Sequence, residues 1–198
     1  MTVEATSTNG TSANGPTGSG TEFEMHGVHH LALVSSDMQR TVDFYNGVLG
    51  LPLVLTIDLP KGMGQHFFFD IGNGSCLAFF WYPETPAAEP GVSAPSSFPI
   101  VGDPRSAVGS MNHVAFSVPP EKFDEYVAKL DAKGIVTSGV VHHDDSENQI
   151  TRRMHDGVFL RSIYFWDPDG SLLELACWTR ELNEGDVGAA PATATTPV

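Results

Sequence analysis

The sequence predicts an α+β fold built from two βαβββ modules, and three observations carry that expectation. The chain repeats itself: Val28-His29-His30-Leu31-Ala32-Leu33-Val34 aligns with Met111-Asn112-His113-Val114-Ala115-Phe116-Ser117-Val118. Each of these apolar runs leads into a segment with apolar residues at three-and-four spacing and a glycine near its end, Gly50 in one half and Gly134 in the other. Each half then closes on two runs joined by turn chemistry, Gly72-Asn73-Gly74 in the first and Asp167-Pro168-Asp169-Gly170 in the second.

Module one, 27–82, should therefore contain a strand near 28–34, a helix over 37–49 and strands over 51–59, 65–71 and 75–82. Module two, 110–179, should repeat this with a helix over 120–133 and strands over 135–143, 158–166 and 171–178. The connector, 83–109, holds six prolines, Pro83, Pro86, Pro90, Pro95, Pro99 and Pro104, too many for the interior of a strand or helix. A connector of this length is often functional, and it is expected to cap a cavity between the modules, a plain crossover being the alternative. Outside a single domain at 23–182, segment 1–22 is rich in Thr, Ser, Asn and Gly without an apolar or basic leader pattern. It and the tail, 183–198, are expected to be disordered.

Side chains alternate across a strand, so one face of each opening run carries His, Ala and then Val or Ser while the other carries Leu31 and Leu33, or Val114, Phe116 and Val118. A bulky face asks for helices packed on it; a small polar face suits a cavity wall. Glu174, in Ser171-Leu172-Leu173-Glu174-Leu175-Ala176-Cys177, shares its face with Leu172 and Ala176. His30, His113 and Glu174 thus stand out as metal ligands, since two imidazoles and a carboxylate suit a borderline divalent ion and leave positions open for chemistry.

Those residues resemble the vicinal oxygen chelate superfamily of glyoxalases, fosfomycin-resistance transferases, methylmalonyl-CoA epimerases, bleomycin-binding proteins and type I extradiol dioxygenases. The resemblance covers 27–179 through Val28-His29-His30-Leu31-Ala32-Leu33, Phe44-Tyr45, Leu49-Gly50-Leu51, Asn112-His113-Val114-Ala115-Phe116 and the run from Tyr164 to Glu174. It implies one sheet curling around a metal-binding cavity with helices outside, and ligands on the first, fourth, fifth and eighth strands. Ala78, placed by the repeat where Glu174 stands in the second half, offers no fourth ligand and weighs against a glyoxalase I.

A narrower resemblance lies in His155, eight residues, Tyr164, two residues, Asp167-Pro168, one residue, Gly170, three residues and Glu174, which reproduces most of the extradiol dioxygenase signature. Arg153 departs from it, where the family carries a small or β-branched residue. The resemblance implies an extradiol-type ring-cleaving dioxygenase acting with O2 on a small aromatic diol at Fe(II), or at Mn(II) or Zn(II), with Tyr164 and His155 as catalytic residues. A hairpin centred on Asp169 also sets Tyr164 opposite Glu174. The acid-base His that such enzymes carry before the second metal His is absent from 83–112, leaving His66, His142 or His143 as substitutes. Two alternatives stand beside this reading: another metal-dependent member of the superfamily (lyase, epimerase or thiol transferase), and a metal-free sequestering protein lined by Phe79, Phe80, Trp81 and Trp166.

A formal charge of -14 argues against nucleic acid, whose phosphates need Lys and Arg. No apolar run reaches membrane-spanning length. Arg152, Arg153 and Arg161 are expected in surface ion pairs rather than on a substrate carboxylate. Cys76 and Cys177 read as core residues of a reducing compartment, with the cytoplasm as the default location. A homo-oligomer is compatible with everything in the sequence.

Overall fold

The computed structural model describes residues 27–187 and 189–191; the expected disordered segment 1–22 lies outside them. Residues 27–179 lie in one compact unit. The first sheet comprises β1 (His30–Ser35), β2 (Leu53–Leu59), β3 (Gly64–Asp70) and β4 (Cys76–Trp81), in the order β1-β4-β3-β2. The second comprises β5 (Val114–Ser117), β6 (Val141–Asp144), β7 (Ile150–Thr151), β8 (Val158–Trp166) and β9 (Leu172–Trp178), in the order β5-β9-β8-β6-β7. In each sheet the opening strand runs parallel to the last long strand of its module, and the remaining neighbours are antiparallel. The first half thus carries the βαβββ order expected of it, and the second carries it with one extra two-residue strand, β7, inserted between β6 and β8.

The expected single sheet curled around a cavity is not what the chain forms. Two separate, uncurled sheets meet through their bulky faces: Leu31, Leu33, Val114 and Phe116 all pack on one core that holds Phe69, Leu77, Phe79, Ile163, Phe165 and Leu173. Alternation along the strands then turns the His-bearing faces away from that core. His30, Ala32 and Val34 are exposed, as are Ala115 and Ser117, and β1 and β5 each keep one edge unpaired in the sheets.

The helices cover the bulky faces. α1 (Met38–Val42) starts at Asp37, whose carboxylate accepts the Arg40 backbone N–H at 3.1 Å. It then widens into a π-helical turn over Asp43–Val48, where the Leu49 N–H reaches the Phe44 carbonyl at 2.9 Å. The wider turn lets the consecutive Phe44 and Tyr45 both enter the core, which a regular helix would point in different directions. α2 (Phe123–Ala132) follows a 3-10 turn at Pro120–Lys122 and buries Phe123 and Leu130. The strand expected over 135–143 is regular only from Val141. Before it, Ser138 exchanges hydrogen bonds with the Tyr164 backbone, and Arg152 donates to the Ser138 and Val140 carbonyls. Both cysteines are free thiols, Cys177 buried and Cys76 half-buried.

The connector lies on the molecule rather than looping away from it. Its first part lines a groove of about 1190 Å³ beside β1, with Trp81, Pro83, Pro86 and Ala94. Further along, Phe98 and Ile100 pack against Val141, Tyr164 and Leu172 of the second sheet. The segment from Arg180 on makes its own short turn, Glu184–Asp186, capped by Asn183 and tied by Arg180 to Asp186. No helix among the described residues is long and apolar enough to cross a membrane.

Candidate metal centre and catalytic pair

The β8–β9 turn fixes the register that the site needs. The Asp167 Oδ1 atom accepts the backbone N–H groups of Asp169 (2.9 Å) and Ser171 (2.7 Å), while Gly170 takes a φ of 84° that glycine adopts freely. Across the modules, the Tyr45 hydroxyl donates to Asp167 Oδ2 at 3.0 Å, with Tyr45 fully buried. Burial raises both groups above their ordinary pKa values, the Tyr45 phenol further because the Asp167 carboxylate is next to it. Arg40 reaches Asp169 in the same turn. From this anchored end the strands pair Tyr164 with Glu174, as the sequence predicts, and Ser162 with Ala176, so Ser162 joins Tyr164 and Glu174 on one face.

Glu174 is 3% exposed, and its two oxygens have different partners. Oε1 accepts the Ser162 hydroxyl, while Oε2 lies 3.0 Å from His113 Nε2. His113 Nδ1 sits 2.9 Å from Asn112 Oδ1. Asn112 Nδ2 donates to the Pro104 carbonyl at 2.9 Å, which identifies the other amide atom as the oxygen and therefore as an acceptor. The Asn112 oxygen then holds the imidazole proton on Nδ1, and the Nε2 lone pair faces a carboxylate oxygen. Two acceptors at that separation call for a proton or a cation between them. A buried carboxylate and an imidazole oriented by its second nitrogen form the kind of donor set a divalent metal takes.

Tyr164 stands beside this pair, its ring 5.8 Å from that of His113 and its hydroxyl 3.3 Å from His143 Nε2. Burial first, and then the neighbouring Glu174 carboxylate, push the phenol up to about 12. Burial lowers the His143 imidazole. At neutral pH the phenol is thus a donor and the imidazole a neutral acceptor, an aligned pair for moving one proton.

His30 belongs to the other sheet. Its Nδ1 lies 2.9 Å from His29 Nδ1, and its ring meets Phe68 at 5.6 Å and His66 at 6.5 Å. His66 stacks on Phe80 at 3.6 Å and keeps its Nε2 buried without a hydrogen-bond partner. Among the described residues, no three His, Cys, Asp or Glu side chains of one chain converge on a metal position, so His113 and Glu174 are brought together and His30 is not. Ala78 aligns with Ala32 on β1, and Glu174 aligns with Ala115 on β5, so the register puts Ala78 at the position equivalent to Glu174.

His155 pairs with Asp144 at 2.9 Å and accepts the Gly157 N–H, while His143 rather than His155 meets the Tyr164 hydroxyl. His142, the neighbour of His143, is buried on β6 opposite Arg161 and Thr151. Arg161 pairs with Asp124 and covers the Phe123 ring at 4.4 Å, in line with the expected ion-pair role. Sequence reasoning missed Asn112 and Ser162. Their signal was positional: one precedes a ligand His, and the other sits two residues before Tyr164 on the same strand face.

Comparisons with known proteins agree with the fold. A Bacillus subtilis (strain 168) protein named as a ring-cleaving dioxygenase, MhqA, is 32% identical over 79 residues, which is 38% of this chain and 25% of that protein. The metallothiol transferase FosB of Shouchella clausii (strain KSM-K16) is 26% identical over 153 residues, covering 76% of this chain and 80% of that one. The crystal structure of a glyoxalase family protein from Enterococcus faecalis superposes with a TM-score of 0.52 at 27% identity, over 76% of this chain and 96% of that one. A family model spans residues 27–175. On that match and this fold, the chain belongs to the Glyoxalase/Bleomycin resistance protein/Dioxygenase superfamily.

Proposed function

We propose that this chain is a metal-dependent ring-cleaving dioxygenase of the extradiol type, acting on a catechol-like diol. The observation that carries the reading is the Tyr164–His143 pair, a protonated phenol aimed at a neutral imidazole beside the His113–Glu174 donor set. His113 and Glu174 would hold the ion, with His30 of a second copy as third ligand. The exposed His-bearing faces and the unpaired β1 and β5 edges support that completion, since a two-fold dimer can bring β1 of one copy to β5 of the other. When bound, Fe(II), or Mn(II) or Zn(II) in its place, would supply Lewis acidity to two vicinal oxygens and, as Fe(II), the redox chemistry of O2.

The chain's own groups do the rest. Tyr164 donates its hydroxyl hydrogen bond to a substrate oxygen, and His143 accepts a proton from the diol or from that phenol. Ser162 orients Glu174, and Asn112 orients His113, so both are held before substrate arrives. His155 acts one step away, through Asp144 on β6, rather than at the phenol. The test is oxygen uptake by protein reconstituted anaerobically with Fe(II) and offered a panel of catechols. Uptake with appearance of a ring-opened product is expected, and silence across the panel overturns the proposal.

A second reading is thiol transfer, favoured by the FosB match along most of both chains. It uses the same donor set without O2. Consumption of a low-molecular-weight thiol by the Mn(II)-loaded protein with an electrophilic acceptor, together with aerobic silence on catechols, would decide for it.

A further inference from the structure

Residues 97–103 of the connector are built as a closed clip. The Ser97 hydroxyl donates to the Asp103 carbonyl at 2.9 Å, and the Val101 N–H donates to the Phe98 carbonyl at 3.2 Å. Gly102 lies so close that a Cβ there would fall 2.5 Å from Ser97 Oγ, and Arg105 clamps Asp103 through two contacts of 2.8 and 2.7 Å. The clip lays Phe98 on Trp166, with ring centres 5.3 Å apart and planes 22° off parallel. Phe98 and Ile100 also rest on Tyr164 and Leu172, whose strand face carries Glu174.

Ile100 has a φ of 74°. A β-branched residue in the left-handed region is strained, and glycine would sit there freely. Such strain persists where surrounding structure holds a side chain in place, and what Ile100 reaches is the apolar surround of Tyr164.

We infer that Phe98 and Ile100, backed by Trp166, form the wall that selects the apolar body of the substrate, favouring a diol ring with an apolar substituent over a bare or charged ring. The inference rests on the ring-cleaving reading and adds its substrate class. A preformed apolar wall gains from each methylene it buries and rejects a carboxylate it cannot pair.

The experiment compares kcat/KM for 4-tert-butylcatechol, catechol and 3,4-dihydroxybenzoate in the metal-loaded wild type, Phe98→Ala and Ile100→Gly. The wild type should prefer the butyl compound, and each variant should lower the butyl-to-bare ratio at least about tenfold, the low end of what one methylene is worth in an apolar pocket. Tm is measured for both variants beside kcat/KM, and Ile100→Val, which keeps an apolar side chain at the same backbone position, should retain most of the ratio, so lost selectivity is separated from lost folding. An unchanged ratio in both variants, or a wild-type preference for the charged ring, overturns the inference. If the wild type cleaves no catechol, ring cleavage itself falls, and tryptophan-fluorescence titration with the same compounds decides about the wall. Tighter butylcatechol binding by wild type than by Phe98→Ala supports it; equal binding overturns it.

Discussion

At the scale of single residues, the hydroxyls of Tyr45 and Tyr164 do different work. Tyr45 is a fully buried donor to Asp167, so Tyr45→Phe leaves a buried carboxylate oxygen short of a partner and should cost about 1–3 kcal/mol in urea unfolding. Tyr164→Phe keeps the strand aromatic and removes the proton; under the ring-cleaving reading it should lower kcat about 10²- to 10⁴-fold with metal content unchanged, as steady-state kinetics and metal analysis would check. Legibility at this scale was uneven. Tyr164, Glu174 and His113 were visible because each is a polar residue in an apolar alternating run, a local signal. The choice of His143 over His155 was not, since it depends on how β6 lies beside β8, a pairing between segments whose intervening loop has no period to read.

Elements were legible where turn chemistry pinned them. The β8–β9 register follows from Asp167-Pro168-Asp169-Gly170 and came out residue for residue. The widened turn over Asp43–Val48 was hidden, because a π-helical step leaves the same apolar spacing as an ordinary helix end. The start of β3 was hidden as well. Gly64 has a φ of 141° and lies against β4 so closely that a Cβ would sit 1.9 Å from the Trp81 carbonyl oxygen. Gly64→Ala must therefore break the end of the β3–β4 ladder. A loss of about 3 kcal/mol or more is expected in chemical denaturation, at the upper end for a single substitution.

For the whole molecule, the doubled module could be read from the repeat, but the meeting of its sheets could not, because bulky faces can pack on each other or on separate helices with the same sequence pattern. If His30 serves the site of a second copy, His30→Ala and Glu174→Gln each leave both sites of their own homodimers incomplete. Co-expressed, the two variants should yield a mixed dimer with one intact site and about half of the wild-type activity per dimer. Inactivity of isolated mixed dimers would show that the ligands do not come from two chains. Burial lowers the pKa of His66, His142 and His143 from 6.5, so the unfolded chain binds protons in a range where the folded one does not. Their stabilising contribution is complete above 6.5 and is lost as pH falls through the lower folded values. Tm should drop as pH is lowered from 7 toward 5, with a shallower slope in His142→Asn; a flat Tm over that range would refute it. The links from Tyr45 and Arg40 to the β8–β9 turn carry one more consequence. A fragment of residues 110–179 produced alone would carry both His113 and Glu174 but would lose the Tyr45 and Arg40 contacts that hold the turn setting their register. Each half has become part of the other's scaffold.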